Sequence, residues 1–214
     1  RLVELARRGH LGTADLGVDY GNVRYLITLG RNYFEGIHVA QARGVMAAIQ
    51  KGAKLVSVDP RYSITSAKAT KWLRVKPGTD LAFVLALNNV LILEGLYDKD
   101  FVDNYTEGFS ALAEHIRPYT PEWAEKECDI SAFDTIRIAR ELAAAKPKAA
   151  VDWGWRSQSS PEEFELRRAI IITNMLLGNL EVPGGTIFKK NGNFLNAMVG
   201  TDIVPTLNWP PMPP

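Results

Sequence analysis

The sequence predicts an α/β fold, a Rossmann-like parallel sheet flanked by helices. Three observations lead there. Two apolar runs, Tyr25-Leu26-Ile27-Thr28-Leu29 and Lys54-Leu55-Val56-Ser57-Val58, bracket a stretch of helical periodicity at 39–51. Neither run alternates polar with apolar, which is the pattern of strands covered on both faces. A third run of the same kind, Ala149-Ala150-Val151-Asp152-Trp153, returns after a long helical stretch.

Taken in order, residues 2–8 read as a short helical stub, and 9–22 as a polar, glycine-rich lead-in that carries Asp15 and Asp19. The first strand stops at Gly30 and passes into Arg31-Asn32-Tyr33-Phe34-Glu35-Gly36. In the helix that follows, Val39, Val45, Met46 and Ile49 fall near one face, and Gly52 ends it. The second strand ends in Asp59-Pro60-Arg61-Tyr62, where the proline has no amide with which to continue a ladder. A short run, Trp72-Leu73-Arg74-Val75, leads into Pro77-Gly78-Thr79-Asp80. The apolar stretch 81–93 reads as a helix with Thr79 or Asp80 as its N-cap and Gly95 near its C-cap.

Short helices are expected at 99–105 and 109–118. Thr120-Pro121-Glu122 combines an N-cap, a proline at the first helical position and an acid in the first turn. Residues 131–145 form an amphipathic helix, and Cys128 just before it reads as a small apolar residue. The third strand exits through Gly154-Trp155-Arg156-Ser157-Gln158. A helix at 161–177 ends at Gly178, and Val182-Pro183-Gly184-Gly185 is a turn. From Lys189 on there is little periodicity, and five prolines lie between 205 and 214.

Ligands of open α/β sheets gather beyond the carboxyl ends of the strands. The loops 30–36, 59–62 and 77–80 leave strand ends, with 154–158 as a fourth, so they define one mouth. Two readings stand at each. Gly30 serves either a tight strand-to-helix turn or a close approach of phosphate to backbone amides. Asp59 either caps its turn or meets a ribose hydroxyl, and Arg61 pairs with phosphate or with a surface carboxylate. Asp80 either caps its helix or uses its two side-by-side acceptors for the paired N–H donors of guanine.

Composition narrows the field. Of the 214 residues 46% are apolar and 23% charged, as in ordinary globular proteins, and the net charge of +1 gives no broad attraction to nucleic acid or anionic membrane. One cysteine excludes an intrachain disulfide and a multi-cysteine metal or iron–sulfur site within these residues. His10, His38 and His115 lie far apart, without ligand spacing. No run reaches the roughly 18 apolar residues of a membrane span. No signal peptide is visible. A start at arginine and a proline-rich end lead us to expect a fragment of a longer polypeptide.

The ordered set Leu29-Gly30-Arg31-Asn32 with Glu35, Val58-Asp59-Pro60-Arg61, 72–80, Glu94-Gly95-Leu96-Tyr97-Asp98, Tyr119-Thr120-Pro121-Glu122-Trp123, Gly178-Asn179 and Pro183-Gly184-Gly185 resembles the catalytic subunits of the dimethyl sulfoxide reductase family of molybdopterin oxidoreductases. Within that family, Asp152-Trp153-Gly154-Trp155-Arg156 and Asp59-Pro60-Arg61-Tyr62 look most like the polysulfide and thiosulfate reductase branch. The resemblance implies a molybdenum bis(molybdopterin guanine dinucleotide) cofactor, with residues 24–187 as the region that binds one guanosine diphosphate arm. Residues 1–23 would lead in from an upstream domain, and 188–214 would be an irregular tail.

Carried over from the family, Gly30, Arg31, Asn32, Glu35 and Gly36 line the first phosphate and pterin loop. Asp59, Pro60, Arg61 and Tyr62 border the ribose and diphosphate, and Gly78, Thr79 and Asp80 hold the guanosine. Trp153, Gly154 and Ser157 approach the pterin, and Arg156 faces an anionic sulfur substrate near the metal. The resemblance also implies a metal ligand around or before Arg1, a 4Fe-4S cluster further upstream and a second arm-binding domain after the C-terminus. The chain alone is then expected to be inactive, and no residue in it is expected to ligate the metal. The parent would reduce polysulfide, thiosulfate or a related oxyanion in two-electron steps. It would work with an iron–sulfur electron-transfer subunit and a membrane anchor, on the periplasmic or outer face of the membrane. The competing readings are a stand-alone nicotinamide- or nucleotide-binding Rossmann domain, weakened by the lack of G-x-G-x-x-G after the first strand, and a non-catalytic scaffold of the same fold.

Overall fold

A computed structural model describes residues 16–36, 39–154 and 162–188. The three buried runs form strands as expected: β2 (Tyr25–Leu29), β3 (Lys54–Val58) and β5 (Ala149–Trp153). With β4 (Lys71–Leu73) they build a four-stranded sheet in the order β4-β3-β2-β5, every neighbouring pair parallel. Every residue of β2 and of β5 is buried, which accounts for their lack of alternation.

The strands alternate their side chains between two cores of unequal size. Leu26, Leu55 and Ala150 pack with Val45 and Ala48 of α1 (Val39–Gln50) on one face. Tyr25, Ile27, Leu29, Val56 and Val58 meet the larger core on the other, built on α3 (Asp80–Leu93). That helix packs against α6 (Pro121–Cys128), α7 (Ala132–Ala144) and α8 (Glu163–Leu176), so it is apolar nearly all round. Its two buried asparagines are met by neighbours. Asn88 donates to the Ala169 carbonyl at 3.1 Å and accepts from Thr173 at 2.8 Å, and Asn89 donates to the Ile116 carbonyl at 2.9 Å.

Two short helices, α4 (Lys99–Tyr105) and α5 (Phe109–His115), lie between α3 and α6. The second stops short of the expected 118, because Arg117 precedes Pro118 and proline disfavours helical backbone before it. The cap read from Thr120 is present, its hydroxyl accepting from the Trp123 amide, and Ser131 caps the next helix in the same way, accepting from the Asp134 amide. Thr79 stands at the N-cap of α3, but its hydroxyl turns back to donate to the Lys76 carbonyl at 2.8 Å.

Three elements go beyond the sequence reading. The helix α2 (Ile64–Lys68) is a single turn started by Ser63, whose hydroxyl accepts from the Ser66 amide. The strands β1 (Leu16–Val18) and β6 (Thr186–Phe188) form a separate antiparallel pair, so part of the polar lead-in is a strand. Asp19 secures the join, accepting from the Gly184 amide at 2.9 Å. The expected stub at 2–8 and the tail from 189 lie outside the described residues.

The sheet edge at β5 is closed by side chains. Asn174 of α8 accepts from the Val151 amide and donates to the Val151 carbonyl, both at 3.0 Å, as a neighbouring strand would. Asn179 donates to the Ala149 carbonyl at 2.7 Å. These amides replace a ladder at an edge that would otherwise leave buried backbone groups unpaired.

Candidate functional site

The four parallel strands end level. Leu29 is paired with Val58 on one side and Trp153 on the other, and Val58 with Leu73. The chain runs outward from β2 to β3 and β4, then returns to place β5 on the opposite side of β2. The reversal between β2 and β5 is a topological switch point, where two loops diverge and leave a crevice. Gly30 leaves β2 there, and Gly154 leaves β5.

The loop after β2 is tied to its neighbours by its own polar side chains. Asn32 donates to Glu35 in a short contact and accepts from Thr65 of α2 at 2.8 Å. Glu35 takes the guanidinium of Arg61 at 2.9 Å, which links the loops 30–36 and 59–62 across an exposed pair. Asp59 accepts from the Arg61 amide at 2.8 Å, and its own carbonyl accepts from Trp72 Nε1 at 2.8 Å. Asp59 therefore holds its turn, and Arg61 meets a surface carboxylate. Tyr62, 62% exposed, stands edge-on to Trp72 with ring centroids 5.0 Å apart. Pro60, Arg61 and Tyr62 lie open on the rim, with Arg74, Lys76 and Gly78 exposed beyond β4.

Beneath the rim is a buried polar knot. Arg31 Nη1 donates to Asp152 Oδ1 at 3.3 Å and to the Trp153 carbonyl at 2.9 Å, while Nη2 donates to Gln41 of α1 in a short contact. The hydroxyls of Tyr20 and Tyr33 both donate to Asp152 Oδ2, at 2.8 and 2.6 Å. Side-chain exposure is 13% for Arg31 and 11% for Asp152. Burial and the Asp152 charge push both tyrosine hydroxyls well above their ordinary value, so they stay protonated donors. For Arg31, burial works against the charge and the Asp152 carboxylate works for it, with a net upward shift.

Strand alternation sends Asp152 to the α1 face and Trp153 to the other. There Arg167 of α8, fully buried, donates to the Gly154 carbonyl at 2.8 Å and to Glu163 at 3.2 Å, with its guanidinium 5.5 Å from the Trp153 ring. Two arginines thus hold consecutive carbonyls of the β5 exit from opposite sides.

The turn 77–80 joins β4 to α3 at the same edge. Asp80 is 4% exposed. Its charge reaches Cys128, whose thiol is pushed up chiefly by burial, with Asp129 and Asp80 adding to it. Of the residues expected to line the site, Arg156 and Ser157 lie outside the described residues. The others stand at this edge of the sheet, with Asn32, Glu35 and Arg61 brought into one hydrogen-bonded group.

The sequence reading does not name Tyr20, Gln41 or Arg167, and Asp152 and Tyr33 enter it only within their strand and loop, with no site role. One signal was available: Asp152 is a charged residue inside an otherwise apolar buried strand, and such a charge needs a partner. Among the described residues no group of three or more His, Cys, Asp or Glu side chains could hold a metal ion, and no helix is long and apolar enough to cross a membrane.

A family model described as molybdopterin oxidoreductase matches residues 6–208. The thiosulfate reductase molybdopterin-containing subunit of Salmonella typhimurium is 48% identical over 193 residues, covering 90% of this chain and 26% of that protein. The F420-dependent formate dehydrogenase alpha subunit of Methanocaldococcus jannaschii is 45% identical over 167 residues, covering 78% of this chain and 24% of that protein. Among solved structures, acetylene hydratase from Pelobacter acetylenicus superposes with a TM-score of 0.79 at 28% identity, over 87% of this chain and 25% of that one. The chain spans about a quarter of the length of these relatives.

Proposed function

The chain belongs to the molybdopterin oxidoreductase family, and from that membership we propose that it is the part of a catalytic subunit that binds one guanosine diphosphate arm of a molybdenum bis(molybdopterin guanine dinucleotide) cofactor. The observation that carries the reading is the level row of strand ends at the switch point, with the loops 30–36, 59–62 and 77–80 leaving it side by side.

The residues present fit such a group. A Cβ built on Gly78 meets nothing within 4 Å, so there is room over the turn before α3. The rim offers the Arg61 guanidinium and the open face of Tyr62, groups suited to a diphosphate and a flat ring. Gly30, Asn32, Glu35 and Gly36 would line the phosphate and pterin end, with Arg31 anchoring that loop from beneath. Asp59, Pro60, Arg61 and Tyr62 would border the ribose and diphosphate. Gly78, Thr79 and Asp80 would hold the guanosine, and Trp153, Gly154 and Ser157 would flank the pterin. When bound, the cofactor supplies the two-electron redox chemistry, and the protein supplies position and electrostatics.

The thiosulfate reductase relative supports a parent enzyme that reduces thiosulfate, polysulfide or a related oxyanion; in this reading Arg156 would face the anionic substrate. Residues 24–187 would be the arm-binding region, 1–23 its lead-in and 188–214 its exit. In this reading the parent carries a 4Fe-4S cluster in another domain and works with an iron–sulfur electron-transfer subunit and a membrane anchor. It stands on the periplasmic or outer face of the membrane, and this stretch by itself is inactive.

The test is the content of the full-length protein. Molybdenum and guanine nucleotide recovered in a ratio of about one to two, the stoichiometry of a metal held by two such arms, is the expected result. A protein that carries neither, or that carries a nicotinamide, overturns the reading.

A further inference from the structure

We propose that Arg31 is a positioning residue and not a phosphate ligand: with Arg167 it clamps the consecutive carbonyls of Trp153 and Gly154, and Asp152, Tyr20 and Tyr33 hold it in that place. The inference rests on the reading of the crevice as a cofactor-arm site, and it changes what Arg31 does there.

The loop position of Arg31 invites a direct contact with phosphate. Its side chain is otherwise engaged. Both terminal nitrogens are taken, Nη1 by Asp152 and the Trp153 carbonyl and Nη2 by Gln41. The ion pair is nearly closed off from solvent, at 13% and 11% exposure. To reach a ligand, Arg31 would leave the Asp152 carboxylate buried without its cation, which costs far more than an exposed rearrangement. Arg61 is the contrast. Its side chain is 66% exposed and, among the described residues, tied only to a half-open Glu35, so turning to an anion costs little.

The clamp also has a direction. Carbonyl oxygens at the ends of parallel strands would present their negative dipole ends at the mouth. At β5 two of them are turned onto guanidinium groups instead, the Trp153 oxygen on Arg31 at 2.9 Å and the Gly154 oxygen on Arg167 at 2.8 Å. The same arrangement seats Gly154 against Gly30: a Cβ at Gly154 would meet the Gly30 carbonyl oxygen at 2.2 Å. The clamp therefore fixes the spacing of the two loops that form the crevice, and a ligand senses Arg31 only through that spacing.

The experiment compares the full chain with Arg31→Gln, Asp152→Asn and the double variant. Tyr33→Phe is added as a mild change that removes one hydroxyl and keeps the ring, in case the charge variants do not fold. Amide exchange is read for the segment around Trp153 and Gly154, and dissociation constants are measured for guanosine diphosphate and for guanosine. A clamp predicts that each single charge variant speeds exchange by about tenfold, the loss of one charge-assisted hydrogen bond, with Tyr33→Phe smaller in the same direction. The double variant is then no faster than the worse single, because both act on one unit. Guanosine diphosphate and guanosine weaken together.

Loss confined to the diphosphate in Arg31→Gln, with exchange unchanged, makes Arg31 a direct ligand and overturns the proposal. Tighter diphosphate binding in Asp152→Asn, from a released guanidinium, overturns it equally. If the wild-type chain binds neither compound, the cofactor-arm reading fails, while the exchange comparison still decides the clamp.

Discussion

Gly154 lies directly on Gly30, so close that a Cβ added to Gly154 would stand 2.2 Å from the Gly30 carbonyl oxygen and 2.8 Å from its carbon. Both atoms are backbone of the central strand's exit, so neither can swing aside. The packing of the switch point depends on a missing methyl group.

Gly154→Ala is accordingly expected to destabilise the chain by about 2–3 kcal/mol, the range for overpacking at a site that cannot relax. Gly78 is different. Its φ of 86° strains any side chain, but a Cβ there meets nothing within 4 Å. Gly78→Ala should cost only the conformational term, about 1–2 kcal/mol. Chemical denaturation of both variants checks the order. A Gly154→Ala protein as stable as wild type would show that the two loops are free to separate.

Asn174 imitates a strand on the open side of β5. Replacing it with alanine leaves the Val151 amide and carbonyl and the Asn179 side chain without that partner. The expected cost is about 2 kcal/mol or more, read as a fall in Tm of roughly 4–8 °C. Asn174→Asp keeps the acceptor but sets a buried carboxylate against the Val151 carbonyl without a cation, so at neutral pH it should cost at least as much as alanine. A thermal melt of the alanine variant that matches wild type would mean water serves the edge equally well.

The opposite edge of the sheet carries a charge lattice. Lys54 and Lys71, the first residues of β3 and β4, meet Glu141 and Asp134 of α7 at 3.1 and 3.2 Å, and Arg137 bonds both acids at 2.9 Å. For each acid burial pushes the carboxyl up. For Asp134 the bonds from Arg137 and Lys71, and for Glu141 those from Lys54 and Arg137, outweigh burial and bring it below its ordinary value of 3.8 or 4.5. A folded-state value below the unfolded one means stability that is present above the ordinary value and lost as pH falls through the lowered one. Arg137→Gln should therefore be less stable than wild type at pH 7, with the gap closing below about pH 4. Melts across pH 3–7 test this, and a gap that widens with acid would contradict it.

Much of this fold is legible in the sequence because burial on both faces leaves a plain mark. The runs at 25–29, 54–58 and 149–153 have the exact length of their strands. The helix α3 is legible for the same reason, being apolar on every side. The pair β1 and β6 is not, since three-residue strands have no period to read and partners such as Leu16 and Phe188 lie far apart in the chain. The helix α2 is one turn long, and only Ser63 announces it. At the site the loops could be placed, because they follow from strand ends. The knot below them could not, because Tyr20 and Tyr33 meet Asp152 across 132 and 119 residues of chain.

Asp80 carries the base selectivity in this account. Asp80→Asn replaces one of two carboxylate acceptors with a donor. It should weaken guanosine diphosphate by about tenfold or more, the scale for a buried polar group left mismatched, while adenosine diphosphate changes little. Titration calorimetry on both nucleotides gives the comparison. Equal loss for the two would make Asp80 a support of the turn and move the selectivity elsewhere.

The central claim is that the crevice takes a guanosine diphosphate arm, and thermal unfolding with added nucleotides tests it most directly. A ligand that binds only the folded chain raises stability by about 2.7 kcal/mol at a hundredfold excess over its dissociation constant, a rise in Tm of roughly 5–11 °C for a chain of this size. The account predicts that rise with guanosine diphosphate and a much smaller one with adenosine diphosphate or NADH. A rise with NADH that guanosine diphosphate does not match would contradict it and mark a nicotinamide domain.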